Sequence, residues 1–316
     1  MPEQPTTSSP EQDIAKGLAE FRQGRKSLLP EFELPTDDLP EDEQPEISTE
    51  RLTVYNLEQI LKELNVEERL RDPDFLQELT EYINDSLEHG KTNLIDASLA
   101  CQTISAIYFL GIRHPEFSPE KLDLKLNDSN FFIQLTEYIN ESLEQGKIDP
   151  SSASDSCETI SAIYSLGIRH PELTPGKLGS KFNDPDFLKQ LTKDLNDDFE
   201  QGKTDPVYAS WACRIISAIY SLGIRHSEFS PEKLDLKLND PNFLKQLTEY
   251  INNNLKQGKT GQNPASYACR TLSAIQNIIN HYSAIADEKE KAEATHKLQT
   301  AADRTGVPPR PEVKSF

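Results

Sequence analysis

TISAIYSLGIRH, residues 159–170, decides the fold because the chain carries it four times. The other copies run from Thr103 to His114, from Ile215 to His226 and, in decayed form, from Thr271 to Tyr282, where TLSAIQNIINHY has lost the glycine. One spacing, 56 residues, separates them, and Cys101, Cys157, Cys213 and Cys269 keep it, as do Gly90, Gly146, Gly202 and Gly258. A fixed period of this length marks a repeat architecture in which each unit buries its apolar face against its neighbours.

Working outward from that stretch, each unit reads as helix, turn, helix, turn, short helix. A first helix opens at Asp72, Asp128, Asp184 or Asp240, and proline follows three of these at Pro73, Pro185 and Pro241. That gives the capping acceptor and first-turn proline of a helix start. Phe75, Leu79, Ile83 and Leu87 recur at helical spacing as its apolar stripe. Gly90, Gly146, Gly202 and Gly258 are expected to end it in the left-handed conformation. The quoted stretch lies on the second helix, which starts near Asn93, Asp149, Asp205 or Asn263 and stops at Gly111, Gly167 or Gly223. A third, short helix begins at Ser118-Pro119, Thr174-Pro175 and Ser230-Pro231.

Few of these residues favour strand, so the expected fold is all-α: an α-solenoid of tandem 56-residue helical repeats with capping helices. The divisions are a Pro-rich acidic tail without order at 1–46, an N-terminal capping half-repeat at 47–72, and repeats at 73–128, 129–184 and 185–240. A partial fourth repeat at 241–282, a C-terminal capping helix at 283–304 and a Pro-rich tail at 305–316 complete them. In the capping half-repeat, Leu61, Leu64 and Val66 align with Ile107, Leu110 and Ile112 of the second helix. Within the tail, residues 13–32 place Ile14, Leu18 and Phe21 on one helical face, as in a short docking helix.

Composition narrows the function. The chain carries 33 basic and 53 acidic residues, a net charge of −20. A chain so acidic repels polyanions, which disfavours nucleic acid and anionic membrane unless basic residues gather on one face. No apolar run reaches the ~18 residues of a membrane span, and the first residues lack the basic start and apolar centre of a signal peptide. One cysteine per unit at the same helical position suits small side chains in a crowded interface better than a disulfide or zinc site. Free thiols in turn point to a reducing, cytoplasmic compartment.

No phosphate loop, metal motif, nucleophile elbow or paired catalytic carboxylates stands out, so neither a catalytic residue nor a cofactor or metal is assigned. The partner-contact candidates are Arg113 and His114, Arg169 and His170, Arg225 and His226, which recur just past the second helix. They either satisfy that helix's last carbonyls or form a ladder of contacts to an extended ligand. Tyr208 and Trp211 join them as aromatics on the second helix of the third unit. The units differ most at the start of that helix, at Leu94-Ile95, Pro150-Ser151, Pro206-Val207 with Trp211, and Gln262-Asn263. There an asymmetric partner could be read.

The second-helix segments ASLACQTISAIYFLGIR, ASDSCETISAIYSLGIR and ASWACRIISAIYSLGIR resemble octotricopeptide-type repeats and the related helical repeats of intracellular bacteria. For the plastid members the resemblance implies an RNA-binding superhelix. For the bacterial ones it implies secretion into a host cytosol. Acidity and the missing chemistry favour a non-enzymatic scaffold that binds another protein through its extended surface. An RNA-binding solenoid using the arginine–histidine pairs is the alternative.

Overall fold

The computed structural model describes residues 49–126, 128–168, 174–258 and 262–305. Arg169, His170, the N-terminal segment with its candidate docking helix, and the Pro-rich end from residue 306 lie outside the described residues. Among the described residues every regular element is a helix. In chain order these are α1 (Thr49–Glu63), α2 (Val66–Arg69), α3 (Pro73–His89), α4 (Leu94–Leu110), α5 (Pro119–Leu126), α6 (Ser129–Gln145) and α7 (Pro150–Ser165). The chain continues with α8 (Pro175–Phe182), α9 (Pro185–Gly202), α10 (Pro206–Leu222), α11 (Pro231–Leu238), α12 (Pro241–Gln257) and α13 (Gln262–Thr305).

Two kinds of long helix alternate, and their side chains dictate where each sits. In α3, α6, α9 and α12 one stripe is apolar and buried; in α3 it is Phe75, Leu79, Ile83 and Leu87. A helix with one apolar stripe has one face to cover and belongs on the outside. Each of these four is capped by its aspartate, Asp72, Asp128, Asp184 or Asp240, which accepts from two backbone N–H groups of the first turn. In α4, Ala97, Ser98, Ala100, Cys101 and Gln102 through Ile107 are all buried, so the helix is enclosed on every side. The same holds for much of α7 and α10. Such a helix has to be central.

The array closes on itself. The four inner helices α4, α7, α10 and α13 pack side by side in sequence, and α13 then packs against α4. Each outer helix lies over its own inner helix and that of the preceding unit, and α3 of the first unit lies over α13 of the last. Repeated contacts show the same cycle. Ser98 Oγ meets Thr159 Oγ1 at 2.7 Å, Ser210 Oγ meets Thr271 Oγ1 at 2.7 Å, and across the closure Ser266 Oγ meets Thr103 Oγ1 at 2.7 Å. The rings of Phe131, Phe187 and Phe243 lie against Gly90, Gly146 and Gly202 of the unit before, and Phe75 lies against Gly258.

The tandem repeats thus form a closed four-unit ring. The reason lies in the wedge shape of a unit: Ser, Ala, Cys and Thr on the inner helices allow close approach, while Phe, Leu and the short third helix fill the outside. Four such wedges complete a circle.

The glycines that end the outer helices correct a second expectation. Gly90, Gly146 and Gly258 have φ of −62°, ordinary right-handed backbone, so they are not left-handed stops; Gly202 lies within α9. They are needed for close approach: a Cβ on Gly146 would stand 2.8 Å from Ala153 Cα and 2.9 Å from the Phe187 ring. Gly111, Gly167 and Gly223 are left-handed, with φ of 67°, 69° and 64°, and have open space around them. Gly146→Ala is therefore expected to cost about 1–3 kcal/mol by overpacking, and Gly167→Val about 1–2 kcal/mol by backbone strain. Thermal unfolding checks both. A Gly146→Ala protein as stable as the parent would remove the close-approach account.

The ends of the chain seal the last joint. With Ile279 in place of glycine, α13 runs unbroken through residues 283–304, so the C-terminal capping segment continues the last inner helix. Its extension packs along α1, where Lys289 pairs with Glu50 and Arg51 with Glu290. Thr53 donates to Asp235 at 2.9 Å and Asn56 to Asn239 at 2.9 Å, fixing α1 to α11 as well. Val66 and Leu70 are buried one 56-residue step before Leu122 and Leu126 of α5. The N-terminal half-unit therefore follows the register of the third helix and not that of the second. No described helix is long and apolar enough to cross a membrane.

Candidate functional site

Closure changes what the repeat positions can do, because equivalent residues now face one axis instead of lining one edge. Gln102, Glu158, Arg214 and Arg270 stand at the same position on α4, α7, α10 and α13 and meet in one layer. Glu158 accepts from Arg214 at 2.6 Å and from Arg270 at 3.3 Å, and all three side chains are about nine-tenths buried. Gln102 donates to Ser98 at 3.2 Å and to Thr159 at 3.0 Å, tying the layer to the joint between the first two units. Beyond it, Ser105, Ser161, Ser217 and Ser273 with the alanines that follow them line a small axial cavity of about 60 Å³. Its size and hydroxyl lining suit ordered water.

Three residues earlier on each inner helix, one turn toward the N-termini, the layer is Leu99, Asp155, Trp211 and Tyr267. This is the entrance of the axis, since Asp155 and Trp211 are exposed. Tyr208 packs edge-on against Trp211 at 5.1 Å, and the Arg270 guanidinium lies 6.0 Å from the Tyr267 ring. Outside them Ile95 is 58 % exposed, Val207 38 % and Trp211 itself 40 %. The four helix starts at which the units differ most thus converge on one mouth.

The third unit departs from its sisters just behind this mouth. Where the others hold Tyr82, Tyr138 and Tyr250 it holds Asp194, and where they hold Ser86, Ser142 and Asn254 it holds Asp198. Asp198 is 3 % exposed, and its Oδ2 has no hydrogen-bond partner. Burial, then the neighbouring Asp194 and Glu158, push its carboxyl up to about 8.

The sign for stability follows. Below the unfolded carboxylate range near 4 both states hold the proton and the group is neutral to folding. As pH rises toward 8 the unfolded chain releases the proton while the folded chain keeps it, so stability falls across that window and levels off above it. Asp198→Asn is expected to remove this loss. At pH 8.5 it should be roughly 2–5 kcal/mol more stable than the parent, with little difference at pH 4. Denaturant unfolding at the two pH values measures it, and equal stabilities at pH 8.5 would show that Asp198 ionises freely in the fold.

Two of the arginine–histidine pairs, Arg113-His114 and Arg225-His226, lie at the opposite end of the ring, past the C-termini of their inner helices. Among the described residues, His114 and His226 turn to the chain that follows and not back to the helix they leave. His114 Nδ1 accepts from the Glu116 N–H and His226 Nδ1 from the Glu228 N–H, each at 3.4 Å, and the rings pack on Phe117 and Phe229. They cap the short 3₁₀ turns Pro115–Phe117 and Ser227–Phe229 that lead to the third helix. Arg113 and Arg225 are exposed.

Several lysines are paired within their own turns, Lys121 with Glu116, Lys233 with Glu228, and at the other end Lys91 with Glu88, Lys147 with Glu144 and Lys203 with Glu200; Lys125 and Lys237 instead donate to Asn84 and Asn196 of other helices. Sequence reasoning missed the axial layer and His281, which stacks on Tyr220 at 3.8 Å and stands one period after Arg225. The period itself carried that signal, once the ring is known to close.

The fold and site define a closed ring of four helical hairpins with a charged layer across its axis and an aromatic mouth. Comparison with protein-family models, with curated proteins and with solved structures returns no match to this chain. Among the described residues no cluster of His, Cys, Asp or Glu is arranged to hold a metal ion.

Proposed function

We propose that the ring is a non-enzymatic scaffold that binds another protein at the mouth formed by the starts of its four inner helices. The observation that carries this reading is the exposed apolar group of Ile95, Val207 and Trp211, with Tyr208, at the place where near-identical units diverge. Exposed aromatic anchors in a concave setting are the usual centre of a protein interface. The paired lysines support a protein partner over RNA, because their charge is already neutralised locally. Four buried free cysteines agree with a reducing compartment. Kinship with the octotricopeptide-like repeats, and with it delivery into a host cell, rests on the second-helix motif alone.

A photo-crosslinking residue at position 207 tests the reading, with position 133, an exposed apolar site on α6, as the control. A defined adduct from position 207 alone, weakened about tenfold or more by Trp211→Ala, is expected of an interface anchor worth ≥ ~1.4 kcal/mol. Equal labelling at both positions would remove the mouth as an interface. In parallel, saturable binding of random single-stranded RNA that weakens steeply with salt would place phosphate contacts on Arg113 and Arg225 and replace this reading.

A further inference from the structure

A cavity lies at the opposite end, between the third unit and the run-on part of α13. Its volume is about 540 Å³, within the range of small-molecule sites. Ile219, Ile224 and Phe229 contribute apolar lining, and Tyr220 and His281, stacked on each other at 3.8 Å, form an aromatic side of it. Arg225, His226, Ser227 and Ser230 stand around it, and no carboxylate lines it.

The sequence explains why such a cavity forms here. In each earlier unit the chain leaves the inner helix at a left-handed glycine, Gly111 or Gly167. After Gly223 it does so as well, but the neighbouring inner helix has Ile279 at the equivalent position and keeps going. The turn at 223–227 therefore faces a helical wall, and that wall presents His281, one period after Arg225, to the cavity.

The polar groups converging there are donors. Arg225 is exposed and makes no ion pair among the described residues. His226 uses Nδ1 to accept from the Glu228 N–H, which leaves Nε2 to carry the proton and donate. Two hydroxyls, from Ser227 and Ser230, can turn to suit a ligand. A guanidinium with nearby imidazole and hydroxyl donors beside apolar lining recognises an anion on an apolar body, because charge-assisted bonds to the oxygens and burial of the body act together.

From this arrangement we infer that the cavity is a binding site for an aromatic oxyanion, a carboxylate or phosphate carried on a flat ring. The ring packs beside the Tyr220–His281 pair, and the oxyanion meets Arg225 and His226. This site is independent of the mouth at the other end of the axis.

Calorimetric titration of the full chain tests it with four probes: phenyl phosphate, benzoate, inorganic phosphate and the neutral benzyl alcohol. Saturable binding of phenyl phosphate or benzoate is expected, at least tenfold tighter than either inorganic phosphate or benzyl alcohol. Whichever aryl anion binds tighter tells a phosphate source from a carboxylate source. Arg225→Gln, at an exposed position that leaves folding intact, should weaken that binding by about tenfold or more. Arg113→Gln, the same residue without the helical wall, should leave it unchanged, as should Trp211→Ala at the other mouth. Absence of saturable aryl-anion binding, equal binding by benzyl alcohol, or an Arg225→Gln protein that binds as the parent does would each overturn the assignment.

Discussion

Replacing Glu158 by glutamine is expected to lower the unfolding free energy by about 3–5 kcal/mol. Glu158 is the carboxylate that both Arg214 and Arg270 reach, and all three side chains are about nine-tenths buried. Glutamine keeps the volume, so no cavity term enters, and the loss comes from two guanidinium groups left in the interior without their counter-charge. Arg270 Nε already has no hydrogen-bond partner, and Gln102 Oε1 is likewise unpaired, so the layer has little spare capacity to absorb the change.

For a chain of this size the loss amounts to a fall of roughly 10 °C in the thermal midpoint. A companion variant separates charge from packing: Glu158→Leu with Arg214→Met and Arg270→Met removes the ion cluster altogether and should recover most of the lost stability, since a well-packed apolar layer replaces such clusters at little cost. A Glu158→Gln protein that unfolds at the parent temperature would show that the arginines have another counter-charge. Asp155, one turn away and open to solvent, would be the group to examine next.

What could be read from sequence follows from which interactions are local. The helix starts at Asp72, Asp128, Asp184 and Asp240 were legible because a capping aspartate and its proline act within one turn. The glycine stops at 111, 167 and 223 were legible for the same reason. At Gly90 and Gly146 the residue type was right and the reason was not: a glycine required by the phenyl ring of the next unit, Phe131 or Phe187, looks, in one dimension, like a glycine required by its own backbone.

Closure was the larger omission. Repeats announce stacking, but whether the stack is straight or curved depends on the difference in thickness between the inner and outer layers, which is set by packing across the joints. One signal was present. The second helices carry Ala, Ser, Cys and Thr on nearly every face, and a helix with no polar side for solvent has to be covered all round. An open row would leave its first and last copies bare on one flank. At the functional level the same step converts Gln102, Glu158, Arg214 and Arg270 from four scattered side chains into one layer, and the helix starts from points along an edge into one mouth. Trp211 was legible from residue type; that Ile95 and Val207 share the N-terminal end of the ring with it follows only from closure.

Ring closure has a covalent test of its own. Thr103 on the first inner helix and Ser266 on the last have hydroxyl oxygens 2.7 Å apart although 163 residues separate them. Thr103→Cys combined with Ser266→Cys is expected to form a disulfide on mild oxidation, seen as faster migration in a non-reducing denaturing gel. In an extended array two further inner helices would separate the first from the last and no such link could form. The native thiols interfere little: all four are buried, and burial pushes Cys101 up to about 12 and the other three further still, which keeps them in the unreactive thiol form.

Thr103→Cys with Ser210→Cys supplies the control, because Ser210 makes its bond to Thr271 on the far side of the ring. The chain-entropy argument gives a loop of this length up to about 5 kcal/mol of stabilisation. The oxidised protein should therefore also unfold at a higher temperature than its reduced form. Failure of the 103–266 pair to cross-link, in protein that is otherwise folded, would return the structure to an open array and separate the axial layer into unconnected side chains.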